Sequence, residues 1–131
     1  MKKLTIIIVL LILASLGAAS KDVLPYVTIT NPLNEENVFG ETTIKFRAEG
    51  QDLTNPILSI YGNTQGIEFP VKNCIISSQP EGNEGTQTMS CSYDWDPDSF
   101  EGQKVKITAT VKSTEKMIND NVTVYVSGER V

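Results

Sequence analysis

Four acidic side chains stand close together in the second half of the chain. They are Asp94, Asp96, Asp98 and Glu101, separated by steps of two and three residues. Carboxylate oxygens at this density are the ligands that a hard cation such as Ca²⁺ prefers. Pro97, however, stands where a calcium loop carries a flexible glycine-bearing stretch, and acidic residues beside proline and glycine are common turn formers. The pattern makes Ca²⁺ the one candidate cofactor, with an ordinary turn as the alternative.

The chain also contains two cysteines, Cys74 and Cys91. In a hairpin centred on Gly82 and Asn83, these two cysteines lie opposite each other on neighbouring strands. A disulfide closing a loop of this length stabilises by about 3 kcal/mol in the chain-entropy model. We predict this cross-strand disulfide, and a reduced pair or an intermolecular bridge is the alternative. Neither cysteine has a neighbouring base, so a catalytic thiol is not expected.

Composition narrows the function classes. The 131 residues include no histidine, which removes the usual general base, the commonest zinc ligand and the activator of most serine and cysteine hydrolases. The sequence has neither a glycine-rich phosphate loop nor a nucleophile beside a base. The formal net charge is −5, and no basic cluster offsets the repulsion of a phosphate backbone. We therefore expect a non-enzymatic protein that does not bind nucleic acid.

The N-terminus has the pattern of an export signal. Two lysines precede an apolar run over residues 4–16, and small residues follow at 17–19. As a helix this stretch spans about 24 Å, short of the roughly 30 Å of a hydrocarbon core, which favours cleavage over a retained membrane anchor. We predict a signal peptide over residues 1–19 and a single domain over 20–131. The mature domain is then extracellular or at the cell surface, or periplasmic in a host with two membranes.

The rest of the chain alternates between apolar and polar residues over short segments, without helical periodicity. Seven segments are predicted as strands: residues 26–30, 42–49, 57–61, 67–76, 86–95, 104–112 and 121–126. Seven short strands with turn signals between them are typical of an antiparallel β-sandwich. Trp95 shares the parity of Met89, Cys91 and Tyr93, so we expect it in the core rather than on the surface as a platform for sugars.

Two stretches carry a resemblance to a known family, covering nearly all of the mature chain. They are VTITNPLNEENVFGETTIKFRAEG, beginning at Val27, and WDPDSFEGQKVKITATV, beginning at Trp95. Both resemble immunoglobulin-like surface domains of bacteria and archaea. The first stretch shares with them a strand, an Asn-Pro turn and a second strand. The second stretch shares with them a Trp-Asp pair, a short loop and a threonine-bearing strand. The resemblance implies an immunoglobulin-like β-sandwich of about seven strands that spaces or binds at the cell surface.

In such a sandwich, the loops at residues 50–56, 77–85 and 114–120 gather at one end. Among the side chains of these loops are Asp52, Glu115, Met117 and Ile118. Two adjacent apolar residues in a polar loop can anchor a partner. They can equally fold back to cap the core, and the sequence does not separate these two interpretations.

Asn121 begins the triplet Asn-Val-Thr, a sequence for N-linked glycosylation. We expect its position at the start of a strand to leave it accessible, although such a triplet also arises by chance.

These features together predict binding or adhesion at the cell surface, with a protein or a glycan as partner. One alternative is a structural subunit of a surface filament or layer that forms homo-oligomers through its edge strands, since an open sandwich leaves backbone groups unpaired there. The other alternative is an accessory carbohydrate-binding module.

Overall fold

A computed structural model of the protein describes residues 24–78 and 86–127. The predicted signal peptide lies outside the described residues, and so does most of the loop predicted at 77–85. Among the residues that the structure describes, no helix is both long and apolar enough to cross a membrane.

The described residues form nine strands and one short 3₁₀ helix. The strands are β1 (Tyr26–Asn31), β2 (Asn37–Val38), β3 (Thr42–Gln51), β4 (Leu53–Tyr61), β5 (Gly66–Pro70), β6 (Cys74–Ser78), β7 (Thr86–Trp95), β8 (Lys104–Ser113) and β9 (Lys116–Val126), and the 3₁₀ helix is Asp98–Phe100. All helical structure in these ranges is thus confined to one turn, and the predicted all-β class is confirmed.

Two sheets pack face to face. The four-stranded sheet has the order β1-β3-β7-β6, and the five-stranded sheet has the order β2-β9-β8-β4-β5. All neighbours are antiparallel except β2, which runs parallel to β9. The protein is a β-sandwich.

Period-2 alternation places the core between the sheets. Ile44 and Phe46 on β3 and Val105 and Ile107 on β8 all belong to this core, and each of the four side chains is at most 1% exposed. Burying one side chain of this kind stabilises by about 1.5–3 kcal/mol relative to leaving it in water. The alternation predicted for residues 42–49 and 104–112 thus places one face of each strand in the core.

The main difference from the sequence-based strands lies at residues 67–76, which were predicted as one strand. The chain instead changes sheets there: β5 pairs with β4, whereas β6 pairs with β7. Pro70 has no N–H to donate to a continued ladder. Val71 then turns inward, 6% exposed, and its N–H donates to the carbonyl of Pro56 at 2.9 Å. This crossing makes two strands from one segment.

The structure contains one strand that the sequence did not predict, and it confirms one predicted core residue. The two-residue strand β2 was not predicted, because two residues are too few to show an alternation. Trp95 is 2% exposed and its ring lies 5.9 Å from that of Phe100, so its predicted place in the core is confirmed.

Candidate functional site

The two cysteines form the predicted disulfide. Cys74 on β6 lies directly opposite Cys91 on β7, and the two Cα atoms are 4.1 Å apart. Cys91 is buried and Cys74 is partly buried, while the four residues that follow Cys74 are exposed. The disulfide therefore attaches an edge strand to the sheet.

The four carboxylates considered for calcium are not brought together. Asp94 accepts a hydrogen bond from the Thr43 hydroxyl at 2.9 Å, and Asp96 accepts one from the backbone N–H of Asp98 at 3.1 Å. Within residues 24–78 and 86–127, no group of three or more histidine, cysteine, aspartate or glutamate side chains is placed to hold a metal ion. Their observed contacts are those of the alternative interpretation, in which the acids form a turn.

The β3–β4 turn and the β8–β9 turn meet at one end of the sandwich. This agrees with the prediction that the segments at residues 50–56 and 114–120 gather there. The carbonyl of Gln51 accepts hydrogen bonds from the backbone N–H of Thr114 at 3.0 Å and from the Ser113 hydroxyl at 2.9 Å. Asp52 and Glu115 are exposed at these two turns. Within the described residues, hydrogen bonds to the Gln51 carbonyl join these two turns.

Met117 and Ile118 do not lie in a loop. They belong to β9, which begins at Lys116, so that their side chains point to opposite faces of the sheet. Met117 is 54% exposed, whereas Ile118 packs against the core. The loop predicted over residues 114–120 is thus mostly strand, and the two apolar residues do not form a joint anchor.

Asn121 is exposed on β9, directly opposite Thr108 of β8. Asn121 is exposed as expected, but it lies in the middle of β9 and not at the start of a strand, because β9 begins at Lys116.

The outer face of the five-stranded sheet carries a cluster that sequence reasoning missed. We call it the lysine–tyrosine face, and it consists of Tyr61, Lys104, Lys106 and Tyr125. Lys106 lies between Tyr61 on β4 and Thr123 on β9, and Lys104 lies opposite Tyr125. The Lys104 ammonium is 5.6 Å from the centre of the Tyr125 ring, within the range of a cation–π interaction. All four side chains point away from the core.

Tyr61 has an unusual support. Its ring occupies the space that a side chain at Gly66 would fill on the neighbouring strand β5, where a Cβ would collide with Cδ1 and Cε1 of the ring. The ring therefore leans over the Gly66 backbone, while 46% of Tyr61 stays exposed. Tyr125 is 42% exposed. The face thus presents two accessible aromatic rings, one of which rests on backbone.

The strands that form this face carry more basic than acidic residues. The whole chain carries −5, yet β4, β5, β8 and β9 hold only two acidic residues, Glu68 and Asp120. Asp120 shares the parity of the buried Val122 on β9, so its carboxylate lies on the inner side of the sheet, where it accepts a hydrogen bond from the backbone N–H of Ile29 at 2.8 Å. Glu68 lies on β5 at the sheet edge, in the row next to Tyr61. The two lysines therefore stand on strands with few acidic residues, while Glu35 and Glu36 lie in the turn beside Tyr125.

Sequence patterning identified part of this face. The alternation of residues 104–112 puts Lys104 and Lys106 on the face opposite Val105 and Ile107. The positions of Tyr61 and Tyr125 beside them depend on the pairing of three strands that are distant in sequence, and no local signal specified it.

No model of a known protein family matches this chain, and neither does any curated protein. The functional interpretation therefore depends on the fold and on this surface.

Proposed function

We propose that this chain is an exported, immunoglobulin-like domain that binds a partner at the cell surface without catalysing a reaction. The observation that carries the proposal is the lysine–tyrosine face. Tyrosine is enriched where proteins bind, because it offers a large apolar ring with a polar tip, and two such rings flank the lysines here.

The strand order supports the immunoglobulin-like assignment. In that fold, strands A, B, E and D form one sheet, and strands C, F and G form the other, with C′ added beside C in variable-type domains. Here β1, β3, β7 and β6 correspond to A, B, E and D, and β9, β8, β4 and β5 correspond to G, F, C and C′. The disulfide departs from the usual pattern, since it joins neighbouring strands of one sheet instead of linking the two sheets.

Export is supported by two independent features. The first is the leader pattern at residues 1–19. The second is the disulfide between Cys74 and Cys91, a bond that persists in oxidising compartments.

The outer face of the other sheet is a less suitable binding surface. Its one arginine, Arg47, pairs with Glu49 at 3.5 Å, and small hydroxyl side chains from β7, such as Ser90 and Ser92, line its centre. It also carries an exposed tyrosine and an exposed lysine, Tyr26 and Lys45, which makes it a matched control.

The test is capture of the labelled mature domain by envelope material of the source organism. One variant combines Tyr61→Ser, Lys104→Gln, Lys106→Gln and Tyr125→Ser, and the control combines Tyr26→Ser with Lys45→Gln. We expect the first variant to lose capture while its melting temperature stays near that of the wild type, and the control to retain capture. Equal capture by all three proteins would contradict the proposal.

One observation favours a second function, a structural subunit that assembles through an edge strand. The edge strand β6 exposes Ile75 at 71% and Ile76 at 48%, and an exposed apolar edge is a template for pairing with another strand. Light scattering during size-exclusion chromatography tests this: we expect concentration-dependent oligomers from the wild type and a monomer from Ile75→Lys. A monomeric wild type at high concentration would exclude this second function.

A further inference from the structure

We infer that the lysine–tyrosine face binds an anionic polysaccharide, with the two tyrosine rings stacking on sugar rings and the two lysines pairing with carboxylate or sulfate groups. The inference rests on the proposed function and specifies the chemistry of the partner.

The dimensions of the face suit an extended polymer. Tyr61 and Tyr125 lie on strands separated by β8, and their register positions differ by two residues. From the spacing of strands and the rise per residue, the Cα atoms of the two tyrosines are about 10 Å apart across the sheet and about 7 Å along it, or roughly 12 Å in all. The lean of Tyr61 over Gly66 on β5 carries its ring farther from Tyr125. The lysines lie between the two tyrosines, about 7 Å apart on one strand. A chain crossing the face thus meets an aromatic ring, two cations and a second aromatic ring.

The aromatic rings are suited to stacking. A sugar ring presents a face of C–H groups, and a tyrosine ring offers an apolar surface of similar size. Because Tyr61 rests on Gly66, its ring is restricted before a ligand arrives, and less conformational entropy is lost on binding.

The neighbouring side chains are suited to hydroxyl groups. Thr123 lies beside Lys106, and Thr108 and Asn121 occupy the next row of the sheet. Hydroxyl and amide groups both donate and accept hydrogen bonds, as sugar hydroxyls require of a partner. An apolar anchor from a protein partner would find less to pack against here.

Charge separates an anionic glycan from nucleic acid. Duplex DNA carries one charge per about 1.7 Å, and such a dense anion would be repelled by a protein of net charge −5. A polysaccharide with one charge per sugar or fewer matches two lysines and places little charge near the rest of the surface. Glu68, at the β5 edge, disfavours extension of an anionic chain beyond Tyr61 on that side.

Titration calorimetry on the disulfide-bonded mature domain tests the inference. The probes are polygalacturonate and chondroitin sulfate as anionic polysaccharides, neutral dextran as their uncharged control, and double-stranded DNA and polyglutamate as anions of other classes. We expect binding to at least one anionic polysaccharide, weakening as salt is raised, and binding at least about tenfold weaker for neutral dextran, DNA and polyglutamate.

The variants separate stacking from charge. We expect Tyr61→Ser and the pair Lys104→Gln with Lys106→Gln each to weaken binding about tenfold, and Tyr61→Phe to keep it, because the ring remains. Gly66→Ala retains all four side chains but displaces the Tyr61 ring, and we expect a severalfold loss. Tyr26→Ser with Lys45→Gln is the control and should bind as the wild type does.

Three results would overturn the inference. One is the absence of binding to both anionic polysaccharides, another is equal binding of DNA or polyglutamate, and the third is binding that Tyr61→Ser leaves unchanged. If envelope capture is nevertheless lost in the four-residue variant, the proposed surface function stands and only the assignment of the partner as an anionic glycan fails.

Discussion

Strands β8 and β6 differ in how they are held in place. Strand β8 lies between β4 and β9, and its inward residues Val105, Ile107, Ala109 and Val111 are all 0% exposed. Strand β6 has one neighbour, β7, and its five residues include none that is buried. The first strand is fixed by burial on one face and hydrogen bonds on both edges. The second depends on one ladder and the disulfide.

This difference indicates that the central strands contribute most of the stability, whereas the edge strand β6 is left more adaptable. Burial of apolar surface is the main stabilising contribution in the centre of the sandwich, and a covalent bond substitutes for it at the edge. An edge strand with few buried contacts is expected to open locally at a lower free energy than the core.

The same substitution on the two strands gives the largest expected difference. Ile107→Ala removes a fully buried side chain on β8, and we expect it to lower the free energy of unfolding by about 4 kcal/mol through lost burial and the cavity left behind. Urea denaturation followed by the fluorescence of buried Trp95 measures the change.

The matched control is Ile75→Ala on β6, where the side chain is 71% exposed. We expect a change within about 0.5 kcal/mol, as for other surface positions. Similar losses for both variants would contradict the division into a core strand and an edge strand.

Removing the disulfide tests the second half of the comparison. The pair Cys74→Ser with Cys91→Ser opens a bridge with a sequence separation of 17 residues, for which the chain-entropy model gives a loss of about 3 kcal/mol. We expect hydrogen exchange of the β6 amides to accelerate more than that of the β8 amides. The wild type under reducing conditions is the control, and exchange that accelerates equally in both strands would mean that β6 belongs to the same cooperative unit as β8.

The two strands also differ in how well the sequence predicts them. The alternation over residues 104–112 predicted β8 to within one residue, because one face is buried along its whole length. The sequence predicts a single strand over residues 67–76, because its apolar residues do not reveal that the chain changes sheets at Val71. A change of sheet is decided by packing between distant segments, which local periodicity does not encode.

The same limit applies to the candidate site, because local patterns do not encode packing between distant segments. The disulfide was predicted because two cysteines and a hairpin turn restrict the register. Met117 and Ile118 were placed in a loop, either as an anchor or as a cap on the core, because the turn at Thr114 and Glu115 was expected to be longer than it is. The lysine–tyrosine face was missed because its residues come from strands far apart in sequence, and the support of Tyr61 by Gly66 is visible only in three dimensions.

A smaller loss of stability is expected at the edge where β1 and β9 meet, because a polar side chain joins the two sheets there. The Asp120 carboxylate on β9 accepts a hydrogen bond from the Ile29 N–H on β1 at 2.8 Å. Asp120→Ala leaves that partly buried N–H without its acceptor, so we expect a loss of about 1–2 kcal/mol in chemical denaturation. Asp120→Asn keeps an oxygen acceptor and should lose less.

The control is Asp94→Ala, whose hydrogen bond from Thr43 is exposed, so that water replaces the lost partner and the change stays within about 0.5 kcal/mol. A loss for Asp120→Ala no larger than for Asp94→Ala would mean that burial alone joins the sheets at this edge, as it does along β8.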